Sequence, residues 1–115
     1  MDCHPTMLVS ANRRIHWSRR AELQRYWRQR AELELRAVYW WQLERATIEA
    51  VIRYPDRRRR DVHNLVPLVI KPAIDGCVDA GLLPDDDDRH VVSVSIRRDP
   101  DPGPHRVTLI IEAAP

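Results

Sequence analysis

Two clusters of the chain carry side chains that could do chemistry. Arg57-Arg58-Arg59-Arg60 runs directly into Asp61, His63 and Asn64, and further on stand Lys71 and the run Asp85-Asp86-Asp87-Asp88. Guanidinium forks match phosphate oxygens in pairs, and a carboxylate beside such a patch can hold a hard cation. Cutting a phosphodiester with a metal takes oxygen or nitrogen ligands converging on one point, a cation against the developing negative charge, and positive surface for the backbone. All three residue types are present. Each also has a plainer reading. The aspartates suit a solvated acidic turn, and the arginines a flexible surface stretch or a salt-bridge cluster with Asp85 to Asp88. Asn64 suits a helix cap, and His63 can serve as metal ligand, general base or polar surface group, the last being the usual role of a lone histidine. No Gly-rich phosphate loop, nucleophile elbow or paired-cysteine motif occurs, so P-loop hydrolysis, serine hydrolysis and structural zinc lack support.

Composition sets the bounds around these clusters. The 115 residues suit one domain, large enough for a core and small enough to gain from dimerisation. A formal charge of +2 conceals 19 basic and 17 acidic residues, and among the basic ones Lys71 is the only lysine. Cys3 and Cys77 make no disulfide framework or metal-ligand spacing, which suits a reducing compartment. The opening residues Met1 to Pro5 lack a basic segment followed by an apolar one, and no apolar run approaches the roughly 18 residues of a membrane span. The expectation is a cytoplasmic protein with no membrane segment.

The elements that must position the clusters follow from hydrophobic period. Residues Thr6 to Ser10 read as a short strand entering a polar loop, Asn12 to Trp17. Leu23, Trp27, Ala31, Leu35 and Val38 then recur at helical spacing, predicting an amphipathic helix from about Ser18 to Trp41 with ion pairs Arg28–Glu32 and Glu32–Arg36. The aromatic group Tyr39-Trp40-Trp41 reads as core or dimer interface. Thr47 to Tyr54 alternates, with Ile48, Ala50, Ile52 and Tyr54 on one face, and Pro55 stops it, so the arginine run sits at a strand end. A second helix is predicted from an Asn64 cap to Gly81, kinked at Pro72, with Gly81 as a left-handed C-terminal cap. His90–Arg97 and Arg106–Glu112 alternate again, and Asp99 to Pro104 between them is turn chemistry that suits an antiparallel hairpin. The order β-α-β-α-β-β gives an α/β mixture of the α+β kind with a mixed or mainly antiparallel sheet. A helix of about 17 residues separates its own ends by about 25 Å. Asp61 and Asp85/Asp86 therefore converge only if the return loop folds back.

The strings Tyr54-Pro55-Asp56-Arg57 to Asn64-Leu65, Lys71-Pro72-Ala73-Ile74-Asp75 and Ala80-Gly81-Leu82-Leu83-Pro84-Asp85-Asp86 resemble the RusA family of Holliday junction resolvases. The likeness is close over about residues 52 to 97 and looser over Ser10 to His16. It implies a homodimer that binds four-way DNA junctions by structure and makes paired nicks with Mg²⁺ or Mn²⁺. Carried over by position, it makes Asp61 the first metal-binding aspartate, Lys71 the catalytic lysine on a helix, and Asp86, with Asp85, the downstream acidic pair. Counting back from Val91 instead of forward from Gly81 selects Asp87 and Asp88. His63 stands where the family has its second aspartate, which keeps a nitrogen donor but removes a negative charge, and imidazole suits Mn²⁺ better than Mg²⁺. The implied catalytic set is thus Asp61, His63, Lys71 and Asp86, and the metal set Asp61, His63, Asp85 and Asp86. Asn12, Arg13, Arg14 and Arg57 to Arg60 would track DNA phosphates. The alternative is a catalytically weakened branched-DNA-binding protein of the same fold.

Overall fold

The computed structural model describes residues 17–38 and 41–115. The expected strand Thr6–Ser10, the loop with Asn12, Arg13 and Arg14, and Cys3, Tyr39 and Trp40 lie outside the described residues. Within them the order is helix α1 (Trp17–Arg36), strand β1 (Ala46–Arg53), helix α2 (Lys71–Asp79), and strands β2 (Val91–Arg98) and β3 (Arg106–Ala113). No described helix is long and apolar enough to cross a membrane.

The apolar stripe of α1 does what its spacing predicts: Leu23, Trp27 and Ala31 are buried and Leu35 packs at the edge of the core. The helix stops at Arg36, earlier than expected, because Val38 and Trp41 meet no core and stand 56% and 68% exposed. Glu32 pairs with Arg36 at 3.0 Å as expected. Arg28 does not pair with Glu32 in this way but reaches α2, where Nε and Nη2 donate to Asp79 at 2.5 and 2.8 Å. That fork holds the Asp79 carboxyl below the usual carboxylate range.

The predicted second helix is three pieces. Asp61, not Asn64, caps a tight 3₁₀ turn at Val62–Leu65, accepting from the His63 amide at 3.2 Å. A wide π turn, Val66–Ile70, follows, in which the Lys71 amide bonds back five residues to the Val66 carbonyl. Pro72 supplies the reason: it has no amide for the Leu68 carbonyl and its ring crowds that oxygen, so the preceding turn widens and regular helix begins only at Lys71. The C-terminus behaves as expected. Gly81 adopts φ 89°, and the Gly81 and Leu82 amides bond to the Val78 and Cys77 carbonyls at 2.9 and 3.1 Å. This is the paired closure that a left-handed glycine permits.

The three described strands form a mixed sheet in the order β2-β1-β3, with β1 parallel to β2 and antiparallel to β3. The expected hairpin between β2 and β3 is therefore not formed. Their connection instead steps over the end of β1, fastened where the Asp99 amide donates to Ile52 O at 2.8 Å and the Gly103 amide to Tyr54 O at 3.0 Å. Ile48, Ala50 and Ile52 enter one cluster with Trp27, Ala31, Leu65, Val69, Ile70 and Ala73. The opposite face is mixed: Arg97 of β2 donates to Glu49 on β1 at 3.1 Å, beside buried Val51 and exposed Ile110.

The two helices touch backbone to side chain at Gly76. A Cβ there would collide with the Arg28 carbonyl and lie 3.0 Å from the Ala31 Cβ. Gly76→Ala is expected to lower stability by about 1–3 kcal/mol through overpacking, read as a lower urea midpoint at unchanged slope.

Candidate functional site

The site is assembled where β1 runs out. Pro55 ends the strand, and the chain turns through Asp56 to Arg60 into the capped turn at Asp61. The turn is internally bound. Arg60 forks onto Asp56, Nη1 to Oδ1 at 2.6 Å and Nη2 to Oδ2 at 3.2 Å, and Asp56 Oδ1 also accepts from the Arg58 amide at 3.0 Å. These bonds hold the Asp56 carboxyl down at about 2, the Arg60 fork acting most strongly and the Arg58 amide next. The acid that balances the arginine run is thus its own neighbour rather than Asp85 to Asp88. Arg60 is half-buried by this pairing, while Arg57, Arg58 and Arg59 remain exposed.

Past the arginines, Asp61 and His63 are brought together. The imidazole Nδ1 lies 3.4 Å from Asp61 Oδ1, and both side chains are exposed. With Arg59, Arg60 and Val62 they rim one open hollow. Asp61 holds this place because it caps the 3₁₀ turn, so a single carboxylate serves both the backbone and the hollow.

The second grouping forms at the start of α2. Lys71 Nζ donates to Asp75 Oδ1 at 2.6 Å and to Asp86 Oδ2. Lys71 and Asp86 are fifteen positions apart, and the turn at Gly81 with buried Leu82 and Leu83 sends the chain back along α2 to join them. Asp85 accepts from the Asp86 amide at 2.7 Å. Asp87 is occupied elsewhere: it takes Arg89 Nη2 at 2.8 Å, its carbonyl caps the turn into β2, and Arg89 holds its carboxyl low. Of the four aspartates, Asp86 is the one that meets Lys71.

Asp75 is the site residue that the sequence reading passes over. Its signal is nonetheless present, since Lys71 and Asp75 are four apart on a helix, the spacing that brings opposite charges together.

As a metal site the donors Asp61, His63, Asp85 and Asp86 form pairs, not a single constellation. Among the described residues no group of three His, Cys, Asp or Glu side chains converges on a point. Near Asp75 and Asp86 the cation supplied by the chain is the Lys71 ammonium. The donor types nonetheless suit the ions expected, because Mg²⁺ takes one or two carboxylates and completes its shell with water and substrate phosphate.

No protein-family model matches the chain, and no curated protein matches it. The functional reading rests on the residues themselves.

The Asp56 pairing has a defined acid limit. A carboxyl whose folded value lies below its unfolded one stabilises fully above the unfolded value, here 3.8, and the contribution is lost as pH falls through the folded value, about 2. A carbon-detected NMR titration is expected to place the Asp56 midpoint near about 2 in the wild type. In an Arg60→Gln variant, with the largest cause removed, the midpoint should move back up toward the ordinary carboxylate range.

Proposed function

We propose that the chain is a structure-selective endonuclease that acts on four-way DNA junctions, working as a homodimer with Mg²⁺ or Mn²⁺. The observation that carries the reading is the pairing of Lys71 with Asp86. Two residues singled out by the junction-resolvase resemblance, fifteen positions apart, meet on one surface, on a chain whose exposed arginines lead straight into a third, Asp61. Chance placement of a solitary lysine gives no reason for that contact.

Each residue has a role in this reading. Arg57, Arg58 and Arg59 take DNA phosphates, with affinity that falls steeply with salt and reads backbone shape more than base sequence. Asp61 with His63, and Asp86 with Asp85, would each offer a pair of ligands to a divalent ion, with water and substrate phosphate completing its shell, and the ion when bound offsets charge on the phosphate. Lys71 keeps Asp86 oriented and carries positive charge to the same surface. Symmetric cutting of a four-way junction needs two such sites related by a twofold axis, which a homodimer of a small domain supplies.

A second reading is favoured by one specific observation. His63 supplies a ring nitrogen where the resemblance calls for a carboxylate, and no third donor joins it and Asp61 among the described residues. A chain with that deficit binds branched DNA but cuts it weakly.

A nicking assay on a synthetic four-way junction separates the two, run with Mg²⁺ and then Mn²⁺ beside Asp61→Asn and Asp86→Asn. Asparagine caps a helix as well as aspartate does, so Asp61→Asn removes charge while leaving the turn folded. Paired nicks that fall at least about a hundredfold in both variants support the endonuclease. Binding without nicks, with cleavage gained in His63→Asp at unchanged affinity, supports the weakened binder. No binding at low salt would sink both.

A further inference from the structure

The arginine segment is more firmly held than its own hydrogen bonds require, and the agent is a residue forty positions away. Arg98, the last residue of β2, donates from Nη1 to the Arg58 carbonyl and from Nη2 to the Asp56 carbonyl. Its guanidinium also faces the ring of Tyr54, with Cζ 5.0 Å from the centroid, and Arg60 approaches the same ring at 4.1 Å. His105, just ahead of β3, meets that ring edge-on at 5.7 Å. Tyr54 is only 7% exposed, so this is a buried platform at the end of the central strand.

Four consecutive arginines repel one another, and such a run left alone is extended and mobile. Here Asp56 takes the Arg60 fork and lies 3.8 Å from Arg58 Nε, Arg57 Nη1 donates to the Pro100 carbonyl at 3.4 Å, and Arg98 takes up two carbonyls of the backbone beneath. A planar guanidinium fork is well shaped for this, whereas an ammonium in the same place offers a point charge without two donors in fixed geometry. With Arg60 and Arg98 both committed inward, Arg57, Arg58 and Arg59 are the members left on the outside.

We infer that Arg98 is a positioning residue whose clasp on the backbone of Asp56 and Arg58 presents Arg57, Arg58 and Arg59 as a preformed set for phosphate. The use of that set for DNA rests on the function proposed above; the clasp itself does not. A turn ordered during folding spares the ordering cost at the moment of binding. Loosening it lowers the fraction of molecules ready to bind and weakens affinity in proportion, without removing any phosphate contact.

Two measurements test this. Trypsin cuts after arginine, so the segment reports its own order. In the folded wild type, cleavage after Arg57, Arg58 and Arg59 should be slower by about a hundredfold than in a synthetic peptide of residues 52–66. A segment cut as fast as the free peptide overturns the proposal without any variant being needed. Arg98→Lys and Arg98→Gln should speed those cuts by about tenfold while cleavage after Arg25 in α1 stays constant; unchanged rates at the segment overturn it.

The second measurement is affinity for a four-way junction across a salt series in EDTA. Arg58→Gln should lower the slope of log affinity against log salt by about one, as expected when a phosphate contact is lost. Both Arg98 variants should bind about five- to tenfold more weakly at the wild-type slope. A slope reduced in Arg98→Gln as in Arg58→Gln would make Arg98 a contact and overturn its positioning role. No binding by the wild type at low salt would overturn the proposed function and the phosphate role of the turn, whereas trypsin protection reports the clasp alone. The two failures are therefore distinguishable.

Discussion

The approach of α1 to α2 at Gly76 fixes where every charge near Lys71 can stand. Without a side chain at that point, the Arg28 carbonyl and the Ala31 methyl lie against the α2 backbone, and no larger residue leaves them there. The Arg28 fork on Asp79 and the Arg36 guanidinium at the Asp79 carbonyl then hold the far end of α2 from the same side. Cations at a helix C-terminus also complement its dipole. With both the middle and the end of α2 anchored to α1, its first residue, Lys71, has a fixed position. The chain leaving Gly81 can return only along one path, through buried Leu82 and Leu83, to bring Asp86 to it.

The charges divide into those that build and those that face outward. Arg28, Arg60 and Arg98 are each committed to a carboxylate or to backbone carbonyls. The run that looks uniform in sequence is therefore not uniform in structure: Arg60 is a strut, and its three predecessors are surface. Lys71 belongs to both groups, since it holds Asp86 while remaining half exposed. That is why removing a charge in this region has different consequences at neighbouring positions.

Period makes the elements legible, and long-range pairing does not follow from it. The stripe of Leu23, Trp27 and Ala31 locates α1, and alternation at Ile48, Ala50 and Ile52 locates β1 with its correct buried face. The end of α1 escapes this reading because Val38 continues the period without a core to meet. The expected hairpin fails for a related reason. Asp99 to Pro104 encodes a reversal, and a reversal fixes direction without saying whether the next strand lands beside the last one or one place further over. Two strand spacings are only about 10 Å, within reach of that connection. Asp61 and Asn64 are both plausible caps by residue type; the widened turn demanded by Pro72 moves the start to Asp61. The candidate site residues are legible by type, whereas the meeting of Lys71 with Asp86 depends on the path after Gly81, which no local pattern contains.

The strand order β2-β1-β3 also governs the timing of assembly. β1 is the most deeply buried strand, and both of its partners come later in the chain, the nearer beginning at Val91 and the farther at Arg106. As the chain leaves the ribosome, Ile48, Ala50 and Ile52 wait without a sheet for the whole of α2 and its flanking turns to be made. Contacts that distant in sequence form slowly, and an unpaired apolar strand is the segment most exposed to wrong partners in the interval. The arginine run that follows directly on β1 sets a block of like charge beside it, and like charge is what keeps two such nascent strands apart.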